Sequence, residues 1–453
     1  MKNKRDMYID YKRSYKKHRR VNKKAVLILL SILFVVAVGT VAYAIVNYKQ
    51  QTAKQQENDN LNEVASNQNA EGQEELPQAT IMPTASPIES PTIAPTLTEV
   101  PAPTDTIEED TSVSAMTPGR TPAIVKGIYV SAPTAGIDRM QELIHLADTT
   151  EINAMVIDVK DDQGKISYLM DSAMAIEIGA VTNTITDMKE LLKELKKKDI
   201  YLIARIVAFK DPLLAEQKQE FAVKNKDGTL YRDNNSECWV NPYRREVWDY
   251  LVEIAAQAAA IGFDEIQFDY IRFSTGKGMA KADFGEEAKT TSKEEIITEF
   301  TKYAYDKIKP LGVFVSADVY GAIISSSVDA GLVGQDYVKM AKYLDYICPM
   351  IYPSHFGEGN YGIEHPDLEP YEIIRKVLTA SKDKLAQIPE GEHCAIVRPW
   401  LQDFTATWIK PHKTYGAEEL RDQIKGVYST EYEEWLVWNA SCKYSTDGFM
   451  VEE

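Results

Sequence analysis

Cysteine is scarce in this chain: Cys238, Cys348, Cys394 and Cys442 are the four in 453 residues. No two stand in CxxC or another metal-ligand spacing, which excludes a zinc ribbon, although an oxidising compartment would permit disulfides. Cys348 and Cys394 fall in or beside expected strands and are read as small buried hydrophobes. Histidine is also sparse, and His355, His365, His393 and His412 follow no ligand spacing. Asp161 and Asp162, ahead of Gln163-Gly164, read as turn formers. They have too few alternating oxygen ligands for a calcium loop. GxSxG, P-loop and HExxH motifs are missing. No metal and no cofactor is called for.

A net positive balance is missing from most of the chain. The formal net charge is −17, and phosphate backbones need a basic field, so nucleic acid is excluded as a partner. The exception is the start: residues 1–24 are strongly basic and read as a cytoplasmic tail. Long apolar runs are missing too, save one. Residues 25–46 carry no charge, and roughly 20 such residues cross a hydrocarbon core of about 30 Å. Basic residues before the run and few after it point the amino terminus inward, leaving the rest extracytoplasmic. This predicts a single-pass anchor in the cell membrane. Ala42-Tyr43-Ala44 fits a signal-peptidase pattern and keeps a cleaved leader open as the alternative.

Large apolar residues are then rare from 47 to 121, first in a Gln/Asn/Glu-rich stretch and then in a Pro/Thr/Ser-rich one with Pro83, Pro87, Pro91, Pro95, Pro101 and Pro103. Such a segment cannot offset the entropy of folding and reads as a disordered, semi-stiff linker. From 122 to 453 the pattern changes. Short β-branched or aromatic runs at 126–131, 154–159, 201–207, 265–268, 313–317, 346–350, 395–398 and 435–438 alternate with amphipathic stretches at 185–197, 244–261, 293–309, 335–342, 371–384 and 417–428. Eight strands separated by helices predict an α/β fold, a (β/α)8 TIM barrel. The rival doubly wound sheet expects a glycine-rich phosphate loop after its first strand; Ser131-Ala132-Pro133-Thr134-Ala135-Gly136 is not one. Residues 274–292 interrupt the fourth unit as a lid or a solvated insertion.

The segment Gly262 to Phe273 is the most telling. Alternation sets Ile266 and Phe268 on one face and Gln267 and Asp269 on the other, so the strand ends in a carboxylate at the mouth of the barrel. The other strand ends add Asp158, Arg205, Asp318, Tyr352, Arg398, Trp400 and Trp438, with Tyr270 and Arg272 following Asp269. Glycoside cleavage needs two carboxyl groups flanking the bond, and sugar faces suit Tyr and Trp platforms. Asp269 and Asp318 end neighbouring strands, about 4.8 Å apart. That is nearer the roughly 5–5.5 Å of a retaining pair than the roughly 6.5–9.5 Å of an inverting one. The other residues become substrate contacts. A non-catalytic carbohydrate-binding barrel tethered at the cell surface is the alternative.

The segments Lys126-Gly127-Ile128-Tyr129-Val130-Ser131, Asn153 to Gly164, Phe268-Asp269-Tyr270-Ile271-Arg272-Phe273 and Cys348-Pro349-Met350-Ile351-Tyr352-Pro353 resemble the bacterial putative glycoside-hydrolase domain, a family distantly similar to alpha-amylase-type barrels. The likeness covers about 123–453. It implies a glycoside hydrolase with Asp269 as nucleophile and Asp318 as acid/base; with the anchor read from residues 25–46, the expected protein is a membrane-anchored hydrolase acting on a poly- or oligosaccharide. The chain departs from the amylase pattern in having Asp where the fifth strand there carries Glu.

Overall fold

The computed structural model describes residues 122–450. The expected tail, anchor and linker lie outside these residues. Among the described residues no helix is long and apolar enough to cross a membrane.

Nine strand segments fill eight positions of a closed parallel barrel: β1 (Lys126–Val130), β2 (Ala154–Lys160), β3 (Tyr201–Val207), β4 (Glu265–Asp269), β5 (Phe314–Tyr320), β6 (Tyr346–Met350), β7 (Ile396–Val397), β8 (Trp400–Gln402) and β9 (Trp435–Trp438). Neighbours pair in chain order, and β9 pairs with β1 to close the ring. The seventh position is split. Pro399 has no N–H for the ladder, so β7 pairs with β6, and β8 resumes between β6 and β9. Burial along β2 is unbroken, as expected of a strand covered on both faces.

The helices that cover the barrel are α1 (Arg139–Thr149), α2 (Met188–Lys196), α3 (Arg245–Ile261), α4 (Lys293–Ile308), α5 (Tyr337–Ala341), α6 (Pro370–Leu385) and α7 (Ala417–Tyr428). Helix α4 starts with a capping box between Ser292 and Glu295. Helix α3 stops at Gly262, whose φ of 118° favours glycine. Phe268 points outward onto Phe300 of α4, with ring centroids 5.5 Å apart. Gln267 points inward to Cys348 Sγ at 3.4 Å. At Gly127 a Cβ would sit 2.7 Å from Leu436 Cδ2 and 3.2 Å from Ala154 Cβ, so the close approach of three strands requires glycine there.

Three expectations need correction. Helix α1 was not anticipated. The fifth strand runs on to Tyr320, so Asp318 sits within it rather than beyond its end. Residues 274–292 form a largely exposed insertion, as one of the two readings expected, but one that is tied down. Ala282–Asp283 pairs with Lys224–Asn225, Asn241 Nδ2 donates to Phe284 O at 3.1 Å, and Phe284 packs edge-on to Phe273 at 5.1 Å. The cysteines are free; three are buried, but Cys394 is exposed, because it precedes β7 and lies outside the barrel wall.

Candidate active site

The base of the barrel interior is filled by an ion-pair cluster. Glu265 begins β4 and Glu434 precedes β9, and both carboxylates bind Arg398, at 2.9 and 2.7 Å. The guanidinium also stacks 3.6 Å from the Tyr346 ring centroid. Arg398 is therefore fully buried and does not reach the mouth, contrary to its expected place among substrate contacts. It stands at the amino-terminal level of the barrel, where two acids neutralise it.

The opposite, carboxyl-terminal end opens into a cavity of about 490 Å³. Asp158, Arg205, Asp269, Tyr270, Arg272, Asp318, Tyr352, Trp400 and Trp438 all line it. The β4–β5 register runs Glu265 to Phe314 through Phe268 to Ala317. One step further sets Asp269 beside Asp318.

The two carboxyl groups have different surroundings. Asp269 Oδ2 accepts from Arg205 Nε at 3.1 Å and Nη2 at 2.6 Å. Its Oδ1 accepts from the Tyr270 amide at 2.6 Å. That short turn is made possible by Tyr270, whose φ of 49° is left-handed, a strained choice for a bulky residue. Three hydrogen-bond donors thus hold this carboxyl group in place. Asp318 is only 2% exposed. Burial, and then the charge of Asp269, push its carboxyl well above the usual range. Trp400 Nε1 donates to its Oδ1 at 2.6 Å. The site thus pairs a held carboxylate with an acid that keeps its proton.

Arg205 is shared. Its Nη1 donates to Asp158 Oδ1 at 2.6 Å, and Asp158 Oδ2 accepts from the Tyr129 hydroxyl at 2.5 Å. Tyr129 stacks on Trp438 with centroids 4.1 Å apart, and the guanidinium of Arg205 lies over both rings. A β-bulge between Asp158 and Lys160 adjusts β2 here. Lys160 does not compete for Asp158; it is buried against Asp211 at 2.8 Å. Tyr129, Tyr320 and His355 also line the cavity and were not singled out from sequence. Tyr129 had a usable signal, since inward-facing Gly127 is two residues before it. Burial lowers the pKa of His355, so its ring is neutral. Among the described residues no group of acids, histidines and cysteines is arranged to hold a metal ion.

Residues 127–444 match the family model described as "Putative glycosyl hydrolase domain". The chain belongs to this family. Among solved structures, a hypothetical protein from Ruminiclostridium thermocellum is 42% identical over 42% of this chain and 97% of its own, with a TM-score of 0.40. The glycoside hydrolase domain of PgaB (BpsB) from Bordetella bronchiseptica is 13% identical over 73% of this chain and all of its own, with a TM-score of 0.51. The latter likeness bears on the family's barrel fold alone. The spore cortex-lytic enzyme SleL of Bacillus megaterium is 12% identical, covers 74% of this chain and 77% of its own, and has a TM-score of 0.42. Among curated proteins no match was found.

Proposed function

We propose that this family member is a retaining glycoside hydrolase acting on a poly- or oligosaccharide. The observation that carries the reading is the contrast between Asp269 and Asp318 on adjacent strands of one cavity. Asp269, held by Arg205 and its own neighbouring amide, attacks the anomeric carbon. Asp318, kept protonated by burial and by Asp269, gives its proton to the leaving oxygen as the glycosidic bond breaks. A glycosyl ester on Asp269 results. Asp318, now a carboxylate, takes a proton from water; the resulting hydroxide equivalent attacks the anomeric carbon and frees Asp269. Asp158 and Tyr129 are positioning residues, since they act on the substrate through Arg205. Tyr352 and Trp438 offer ring faces to the sugar, and Trp400 orients Asp318.

The basic start and uncharged run at 25–46 support a second part of the proposal: the hydrolase is displayed outside the cell membrane on a single-pass anchor, spaced by the proline-rich segment.

The test is turnover by the full chain on a panel of oligosaccharides, beside Asp269→Asn and Asp318→Asn. Each substitution is expected to lower kcat by about 10²–10⁴-fold or more with binding retained. Binding by all three proteins with turnover by none would instead favour a carbohydrate-binding barrel.

A further inference from the structure

Arg272 is buried without an anion. It is 7% exposed and lines the cavity. Among the described residues it makes one hydrogen bond, from Nη1 to Phe273 O at 2.9 Å, and no carboxylate stands within ion-pair reach. Arg205 and Arg398, the other arginines of the barrel interior, each bind two carboxylates. Arg272 is instead enclosed by rings: its guanidinium carbon lies 5.1, 4.7 and 4.6 Å from the centroids of Trp239, Tyr270 and Tyr320. Cation–π attraction offsets part of the cost of removing the charge from water. It leaves most of the five guanidinium donors unused.

The cage is built from three separate parts of the chain. Tyr270 owes its orientation to the left-handed backbone next to Asp269, Tyr320 ends β5, and Trp239 comes from the 208–244 excursion, tethered by Nε1 to Asp233 at 2.9 Å. The acids near the cavity do not pair with Arg272, because each is engaged elsewhere. Asp158 and Asp269 share Arg205, Asp162 pairs with Lys210 at 2.7 Å, and Asp318 accepts from Trp400 Nε1 at 2.6 Å. Arg272 therefore stands in the wall of a sugar-sized cavity with no carboxylate of its own, although the two carboxylates that share Arg205 leave negative charge nearby.

We infer that the substrate is an acidic glycan, and that Arg272 receives an anionic substituent of the sugar in the cavity, a carboxylate or a sulfate or phosphate ester. This rests on the glycoside-hydrolase reading of the same cavity. The planar fork of Arg fits any of these groups through paired charge-assisted hydrogen bonds, while the rings fix the fork.

The experiment measures binding of the full chain to matched oligosaccharides by calorimetry: oligogalacturonate against its methyl ester, a sulfated oligosaccharide against its desulfated form, and a phosphorylated one against its dephosphorylated form. The pair that shows a gap identifies the source of the charge. The charged member is expected to bind about ten- to a hundredfold tighter, with the gap shrinking as salt rises. Arg272→Gln is expected to abolish the gap and leave neutral binding in place, and Arg272→Lys to restore part of it. Equal binding within every pair overturns the inference, as does Arg272→Gln weakening neutral and charged members alike. Neutral members bound and cleaved with no gap leave the hydrolase reading standing; no binding and no cleavage of any member sinks both. Should Arg272→Gln fail to fold, the wild-type gap and Arg272→Lys decide.

Discussion

Asp318 is an acid whose folded environment opposes its ionisation. Its pKa is raised by burial and then by Asp269, from an unfolded value of about 3.9. The unfolded chain therefore loses this proton first. The contribution to stability is fully present below the unfolded value and is lost as pH rises through the folded one. Asp269→Asn removes the second cause, so the folded pKa drops and the loss is expected at lower pH than in the wild type. Asp318→Asn removes that part of the loss altogether. Chemical denaturation across a pH series checks both; unchanged curves would contradict the assigned protonation. Asp158, Arg205, Asp269 and Asp318 were legible as charges inside apolar strands. Arg398 gives the same sequence signal yet is salt-bridged at the base, because alternation reveals which way a side chain faces and not how high it stands in the barrel. Trp239, which completes the Arg272 cage, lies in a long excursion without periodicity and gave no signal.

Helices α6 and α7 meet closely at Gly426. A Cβ there would stand 2.9 Å from Tyr371 O and 3.0 Å from Ile374 Cβ. Alanine gains about 1 kcal/mol in helix propensity, but overpacking costs about 1–3 kcal/mol. The near neighbour is a backbone oxygen, which yields less than a flexible side chain, so packing wins. Gly426→Ala is expected to lower stability by about 1 kcal/mol, read as a lower denaturation midpoint at constant slope. The strands were legible because their burial is continuous. The seventh was only half legible: the run ends at Pro399 in sequence, whereas in the fold the partner strands on either side carry the ladder across the gap to Trp400.

At the scale of the whole molecule, the contrast between the acidic barrel and the basic start is what motivates the proposed display outside the membrane. If the domain is displayed outside the membrane, added protease is expected to release it from intact cells by cutting within 47–121, leaving a short anchored remnant. Protection until the cells are lysed would refute display. The (β/α)8 plan was legible from eight alternating units. The excursion at 208–244 and its pairing with 274–292 were not, since two-residue strands carry no pattern of their own.

The Glu265–Arg398–Glu434 cluster gives the barrel a solid floor. Whatever enters the cavity leaves from the carboxyl-terminal end rather than through the floor. If the domain cleaves a glycan as proposed, released fragments compete with incoming polymer for one vestibule, and accumulating product is expected to slow turnover before the substrate is exhausted.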